Sequence, residues 1–112
     1  MICRIWHGYT TSENAPVYED LLRGEIFTGI SQRNINGYKG IQLLRRELET
    51  ETEFITIMWF ESIKAVQEFA GENFKNAVVP EKARKVLSHF DHESQHYEVR
   101  EDLPAYGVFD KI

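Results

Sequence analysis

Several features that would narrow the function are scarce in this sequence. Its 112 residues hold one cysteine, Cys3, so an internal disulfide is excluded. No segment approaches the roughly 18 apolar residues of a membrane helix, and the start MICRIWHGYT lacks the apolar run of a signal peptide. The net charge is −5, which argues against a nucleic-acid backbone as partner. We therefore expect a cytoplasmic protein that binds neither membrane nor nucleic acid.

The composition that remains is typical of one globular domain. The chain is 42% hydrophobic and 28% charged, which argues against disorder. It contains no low-complexity tract and no linker. Residues 1–112 are therefore interpreted as a single domain, with a core over about 1–101 and an irregular tail over 102–112 that has turn signals at Pro104 and Gly107.

Hydrophobic periodicity predicts the element order β-α-β-β-α-α-β. The predicted strands cover about 2–9, 40–49, 54–61 and 94–101, and the predicted helices lie in TTSENAPVYEDLLRGEIFTGI, SIKAVQEFAG and PEKARKVLSHF. This order is that of a ferredoxin-like antiparallel sheet, an α+β architecture in which the first and third strands are central and the helices cover one face.

Signals at the helix ends support these assignments. Ser12 or Asn14 can cap the first helix, because a short side-chain oxygen accepts an otherwise unpaired backbone N–H. Val17 is placed on the apolar face of that helix. Ser62 is the predicted N-cap of the next helix, and Gly71 is predicted to end it.

The third strand, FITIMWFES, is apolar on both faces. Side chains alternate along a strand, so Phe54, Met58 and Phe60 share one face, whereas Ile55, Ile57 and Trp59 share the other. One face is expected to pack on the helices. The other would leave an apolar patch large enough to need cover, and a second copy of the chain is the economical solution. A homodimer is therefore predicted.

Three stretches resemble a known family. The start MICRIWHG, the strand-to-helix run MWFESIKAVQEFAG and the ending HYEV resemble the antibiotic biosynthesis monooxygenase domain, which belongs to the dimeric α+β barrel superfamily. The likeness covers about residues 1–100. It implies a homodimer with a pocket in each protomer between the sheet and the helices. It also implies oxidation of electron-rich aromatic or polyketide-like substrates by dioxygen, without metal or flavin.

A second branch of that superfamily degrades haem, and the sequence departs from it. That branch has an axial histidine in the second crossover, preceded by a tryptophan. Aligning FESIKAVQEFAGENFKNAVV places Phe69 at the tryptophan and Val79 at the ligand, and Val79 cannot bind iron. His7 falls at or near an asparagine of that branch. His89 would replace the ligand only in a different helix register.

His7 and Arg4 are the candidate catalytic residues, and they lie on opposite faces of the first strand. His7 suits proton transfer because an imidazole can gain or lose a proton near neutral pH; the alternative is a core histidine bonded to a carbonyl. Arg4 could hold a phenolate or a carboxylate of the substrate. It could equally pair with Glu98 or Glu101 in the last strand.

Candidate substrate-binding residues are aromatic or histidine side chains. Trp6 and Trp59 could form walls against a flat substrate, or pack in the core or the interface. Tyr18 could offer a phenol, although a rim position with its hydroxyl in water is favoured. His92 or His96 could reach the pocket from HFDHESQH. A metal site in that stretch is not favoured, because its spacing matches no ligand motif.

Two functions remain open at this level. The first is a homodimeric monooxygenase that oxidises an electron-rich aromatic without a cofactor. The second is a non-catalytic dimeric barrel that binds or senses a small hydrophobic ligand, because fold alone does not imply function. Catalysis predicts an enclosed, aromatic-lined cavity with a polar group directed at the substrate oxygen. The sequence does not decide which sheet face carries the pocket.

Overall fold

One antiparallel sheet with helices against one of its faces organises the chain. The structure, a computed structural model, describes residues 1–105. Its strands are β1 (Ile2–Thr10), β2 (Tyr38–Glu47), β3 (Thr52–Phe60), β4 (His89–Phe90) and β5 (Gln95–Glu98). Its helices are α1 (Ala15–Leu21), a π-helical segment (Leu22–Ile26), α2 (Phe27–Gln32), α3 (Ile63–Ala70) and α4 (Glu81–Val86). None of the helices in residues 1–105 is long and apolar enough to cross a membrane.

The strand order confirms the predicted ferredoxin-like topology. The sheet runs β2-β3-β1-β4, so β1 and β3 are central, and β5 pairs with β1 beside β4. Arg4 lies opposite Met58 on β3, which in turn lies opposite Ile41 on β2. This register brings side chains from three strands to one place on the sheet.

The helices cover the face that carries Phe54, Met58 and Phe60. One buried cluster joins Trp6 and Phe54 to α1, the π-helical segment and α4. A second joins Met58 and Phe60 to α3. Ile55, Ile57 and Trp59 lie on the opposite face, where they stay half-buried and belong to neither cluster. We call that opposite side the open face.

The last helix and the last strand are shorter than predicted. The helix predicted over PEKARKVLSHF ends at Val86, and His89–Phe90 instead pair with Gly8 and Tyr9 of β1. The edge of β1 presents unpaired backbone groups there, and Ser88 N–H donates to the Tyr9 carbonyl at 2.7 Å. Of the strand predicted over 94–101, only Gln95–Glu98 forms a strand. Gly107 of the predicted tail lies outside the described residues.

The helix starts follow the predicted chemistry only in part. Ser62 caps α3 by accepting from Ala65 N–H, and Gly71 ends it, as predicted. Asn14 is the N-cap of α1, but its side chain makes no capping bond; Thr11 Oγ1 accepts from Asn14 N–H instead. Val17 is 53% exposed, so its predicted place on the apolar face is wrong. The buried face of α1 begins with Ala15 and Tyr18.

Gly37 in the turn before β2 offers a test of this backbone. Its φ is +88°, and a Cβ there would lie 2.8 Å from the Cβ of Ala65. We expect Gly37→Ala to lower the free energy of unfolding by about 1–3 kcal/mol in urea denaturation. The control is Gly29→Ala within α2, where nothing lies near the added methyl. It should stabilise the protein by about 0.5–1 kcal/mol. Equal effects of the two substitutions would contradict the turn geometry.

Candidate functional site

A pocket lies between the covered face of the sheet and the helices. Its cavity volume is about 60 Å³, and it opens to solvent. The sheet contributes Arg4, Trp6, Ile41, Thr56 and Met58. The helical side is apolar and comes from the first helical run (α1, the π-helical segment and α2), from α3, from the segment before α4 and from α4 itself. Its residues are Tyr18, Leu22, Ile26, Phe27, Ile30, Phe69, Val78, Val79, Pro80 and Ala83. Ser94 completes the lining. We call this the helix-side pocket.

Trp6 enters the helix-side pocket because of its place on β1. Alternation along the strand directs Arg4 and Trp6 to the covered face. Trp6 Nε1 donates to the Asp91 carbonyl at 2.8 Å. Its ring lies over Gly8, where a Cβ would come within 2.5 Å of Trp6 Cη2. A glycine two residues on therefore leaves room for the indole, which lines the pocket and also packs in the buried cluster with Phe54.

Tyr18 lies deeper than expected. It is 1% exposed and packs edge-on against Phe54, with ring centroids 4.9 Å apart. A rim position with the hydroxyl in water is therefore wrong. Burial raises the pKa of Tyr18 well above its ordinary value. The phenol stays protonated at neutral pH and can act there as a hydrogen-bonding group only.

Arg4 is the charged side chain of the pocket, and it is 3% exposed. Its Nη1 donates to the Phe74 carbonyl, and its Nη2 donates to the Asn76 carbonyl at 3.1 Å. Nη1 also lies 2.9 Å from His96 Nε2. The guanidinium carbon lies 5.5 Å from the centre of the Phe69 ring. These contacts fix the cation between β1, the loop after α3 and β5.

Arg4 has no carboxylate partner within residues 1–105. Neither Glu98 nor Glu101, the partners considered from the sequence, forms an ion pair with it, and both are exposed. Desolvation lowers the pKa of Arg4 to about 10. The group still carries its charge at neutral pH. A buried cation without a counter-charge is costly, so this arrangement favours an anion nearby.

His96 is the acceptor in the Arg4 contact. Its pKa is lowered to about 4 by burial, and further by the charges of Arg4 and Lys75. The ring is therefore neutral at pH 7, and its Nε2 can accept a hydrogen bond from Arg4 Nη1. Phe74 packs edge-on against the ring, with centroids 5.0 Å apart. His96 does not line the pocket itself; it acts on the site by orienting the Arg4 guanidinium.

His7 and Trp59 lie on the open face, away from Arg4. His7 Nδ1 lies 2.8 Å from Asp91 Oδ2, and Asp91 N–H donates to the His7 carbonyl at 2.9 Å. Trp59 Nε1 donates to Gln42 Oε1 at 3.3 Å. The structure therefore does not bring the predicted base and the predicted second wall together with Arg4. They lie on the two sides of one sheet.

His92 also lies outside the helix-side pocket. It is exposed and packs edge-on against Phe90, with centroids 5.4 Å apart. His89 bonds Glu51 at 2.8 Å on the surface. Across residues 1–105, no three His, Cys, Asp or Glu side chains are grouped so that they could hold a metal ion.

Sequence reasoning missed the residues that hold Arg4. The carbonyls of Phe74 and Asn76 belong to a loop without regular structure. A pattern of side chains does not predict which backbone carbonyl will accept a hydrogen bond. It also missed Met58 and Thr56 as pocket walls. The sequence shows that they alternate with Ile55 and Ile57, but it does not show which of the two faces the helices cover.

Comparison of the coordinates with solved structures identifies the fold. A protein from Bacillus cereus described as a candidate antibiotic biosynthesis monooxygenase superposes with a TM-score of 0.66 over 93% of this chain and 97% of its own, at 13% identity. The haem-degrader MhuD from Mycobacterium tuberculosis, solved with two haems in its active site, gives 0.60 over 93% and 100%, at 20% identity. No family model and no curated protein matches the sequence.

These superpositions define the fold of the chain. The chain has the α+β fold of the antibiotic biosynthesis monooxygenase-like proteins, as its sequence resemblance implied. At these identities the likeness shows the fold alone, so activity has to be argued from the pocket.

His96 gives the site a measurable pH dependence. Its pKa is lower in the folded chain than the ordinary value of 6.5, so the unfolded chain binds the proton first as the pH falls. Stability contributed by the neutral ring is lost between pH 6.5 and about 4. The free energy of unfolding of the wild type should fall between pH 7 and pH 4.5. In His96→Gln this fall should be smaller by about 1–2 kcal/mol, a range that allows for the partial exposure of the ring.

The glutamine keeps an oxygen that can accept from Arg4 but does not titrate. His92→Gln is the matched control, because that ring is exposed. It should leave the acid destabilisation unchanged. The assignment fails if both variants follow the wild-type curve in urea titrations at the two pH values.

Proposed function

We propose that the chain is a small homodimeric monooxygenase that oxidises an electron-rich aromatic substrate with dioxygen in the helix-side pocket, without metal or flavin. The observation that supports this most directly is the lining of the pocket. Trp6 and Phe69 supply aromatic surface, aliphatic side chains supply the rest, and Arg4 is the charged group. Side chains of these kinds suit a flat apolar molecule with an oxygen directed at the cation.

Each part of the pocket has a task in this reaction. The aromatic and aliphatic walls hold the substrate ring and exclude water. The Arg4 guanidinium binds an anionic oxygen of the substrate and holds the substrate in place. The neutral ring of His96 holds the guanidinium in place. Tyr18 can offer a hydrogen bond as a protonated phenol.

The substrate is its own reductant in this scheme, so the atoms balance without a further reactant. The deprotonated substrate gives electrons to dioxygen. For an anthrone, a ring CH₂ becomes a carbonyl: one oxygen atom of O₂ enters the product, and the other leaves as water with the two hydrogens of that CH₂. The product is a quinone.

Haem fits the lining poorly. Phe69 and Val79, which align with the tryptophan and the axial histidine of the haem-degrading branch, both line the helix-side pocket. None of the described lining residues offers an imidazole or a thiolate. Met58 is packed in the core against α3, and burial keeps the Tyr18 phenol protonated. No step is therefore assigned to haem.

A binding module is the second candidate, and one observation favours it. No described residue of the lining is a base near neutral pH: Arg4 is protonated, and burial holds the Tyr18 proton. A pocket that only binds a small hydrophobic ligand needs no such base. An oxygenase of this design needs a substrate acidic enough to release its proton to solvent.

The homodimer is proposed from the open face. Ile5, Ile55 and Ile57 form a half-buried apolar strip there, next to Leu44, which is 45% exposed. A second copy packed on this face would cover the strip. The helix-side pocket lies on the other side of the sheet, so it would remain within each protomer.

Oxygen consumption by chelator-treated protein, offered a panel of anthrones and hydroquinones, tests the activity. We expect turnover above a heat-inactivated control, and Arg4→Met should lower it about 100-fold because charge on the substrate oxygen loses its partner. Saturable protection against thermal unfolding without oxygen uptake would support the binding module instead.

Arg33→Met is the matched control for Arg4→Met. The Arg33 guanidinium also lies over the Phe69 ring, at 5.3 Å, and also donates to backbone carbonyls, those of Glu68 and Phe69. It is exposed and does not line the helix-side pocket. Equal losses in the two variants would show that Arg4 acts only on the fold.

A charge on the open face tests the dimer. Ile57→Glu should convert a particle of twice the 13.1 kDa chain mass into a monomer in light scattering, because burying the carboxylate between two sheets is unfavourable. Val17→Glu places the same charge on the exposed side of α1 and should leave the mass unchanged. A monomeric wild type would refute the interface.

A further inference from the structure

The Arg4 guanidinium has donors to spare. It carries five N–H bonds. Three have partners: two on Nη1, to Phe74 and His96, and one on Nη2, to Asn76. Nε–H and one Nη2–H have no partner within residues 1–105. The side chain is 3% exposed and lines the helix-side pocket.

Arg4 has a neutral neighbour, His96, and no ion pair with a carboxylate among residues 1–105. Lys75 adds a second positive charge nearby. The protein as a whole has a net charge of −5. A local cation in an acidic protein, fixed in orientation before any ligand arrives, is a preorganised anion receptor.

We propose that the ligand of the helix-side pocket is an aromatic acid, with a flat apolar body and a carboxylate that is ionised before it binds. The carboxylate accepts the unpartnered N–H donors of Arg4, and the ring lies between Trp6 and the apolar side chains of the first helical run. This inference deepens the proposed function by naming the substrate class, and it uses the same pocket.

A carboxylate suits the site better than a phenol does. A carboxylic acid has lost its proton well below neutral pH, whereas a phenol with a pKa near 10 must lose it on binding. The planar guanidinium also matches a planar carboxylate, which can accept two parallel hydrogen bonds. The buried charge is then neutralised by the ligand.

Calorimetric titration of the full chain with three inert naphthalenes at pH 7.5 tests the proposal. We expect 2-naphthoate to bind at least tenfold more tightly than 2-naphthamide, which has the same shape without the charge, and than 2-naphthol. Amide binding as tight as naphthoate binding overturns the proposal. So does tighter binding of the naphthol, and so does the lack of saturable naphthoate binding.

Two variants assign the preference to Arg4. Arg4→Met should abolish the difference between naphthoate and naphthamide, whereas Arg33→Met should retain it. If Arg4→Met does not fold, the wild-type comparison still decides, with Arg4→Lys as the second variant: it keeps the charge and should keep a reduced preference. Naphthoate is not oxidised, so binding without oxygen uptake in the anthrone assay would reject the oxygenase and leave this inference standing.

Discussion

The buried guanidinium of Arg4 is the interaction on which the helix-side pocket depends. It connects the central strand β1 to the carbonyls of Phe74 and Asn76, in the loop that leads to the Val79 wall. That loop has little regular structure, so its backbone carbonyls need a donor such as Arg4 where they are shielded from water. Removing the cation would leave these two carbonyls without their donor and one wall of the pocket unsupported.

Alternation along β1 then separates two surfaces. Arg4 and Trp6 point to the helices, whereas Ile5 and His7 point to the open face. A strand one residue out of register would exchange them. The register of β1 therefore determines both the position of the pocket and the position of the proposed interface. The His7–Asp91 pair belongs to the open side, where a second copy would meet it.

The sequence predicted the parts that local pattern determines. Strand order, the Ser62 cap and the apolar character of both faces of β3 follow from periodicity and turn chemistry. Contacts distant in sequence did not follow. The end of α4 at Val86 depends on the free edge of β1, and the partners of Arg4 are main-chain groups some 70 residues away. No local window contains that information.

A buried cation without a carboxylate partner costs stability and suits the binding of an anion. An apolar residue of similar size at position 4 would avoid the desolvation that lowers the Arg4 pKa. Proteins with the same fold at 13% and 20% identity show that the architecture tolerates wide sequence change. The two spare N–H donors of Arg4 gain a purpose once an anion occupies the pocket, and binding then stabilises the folded chain.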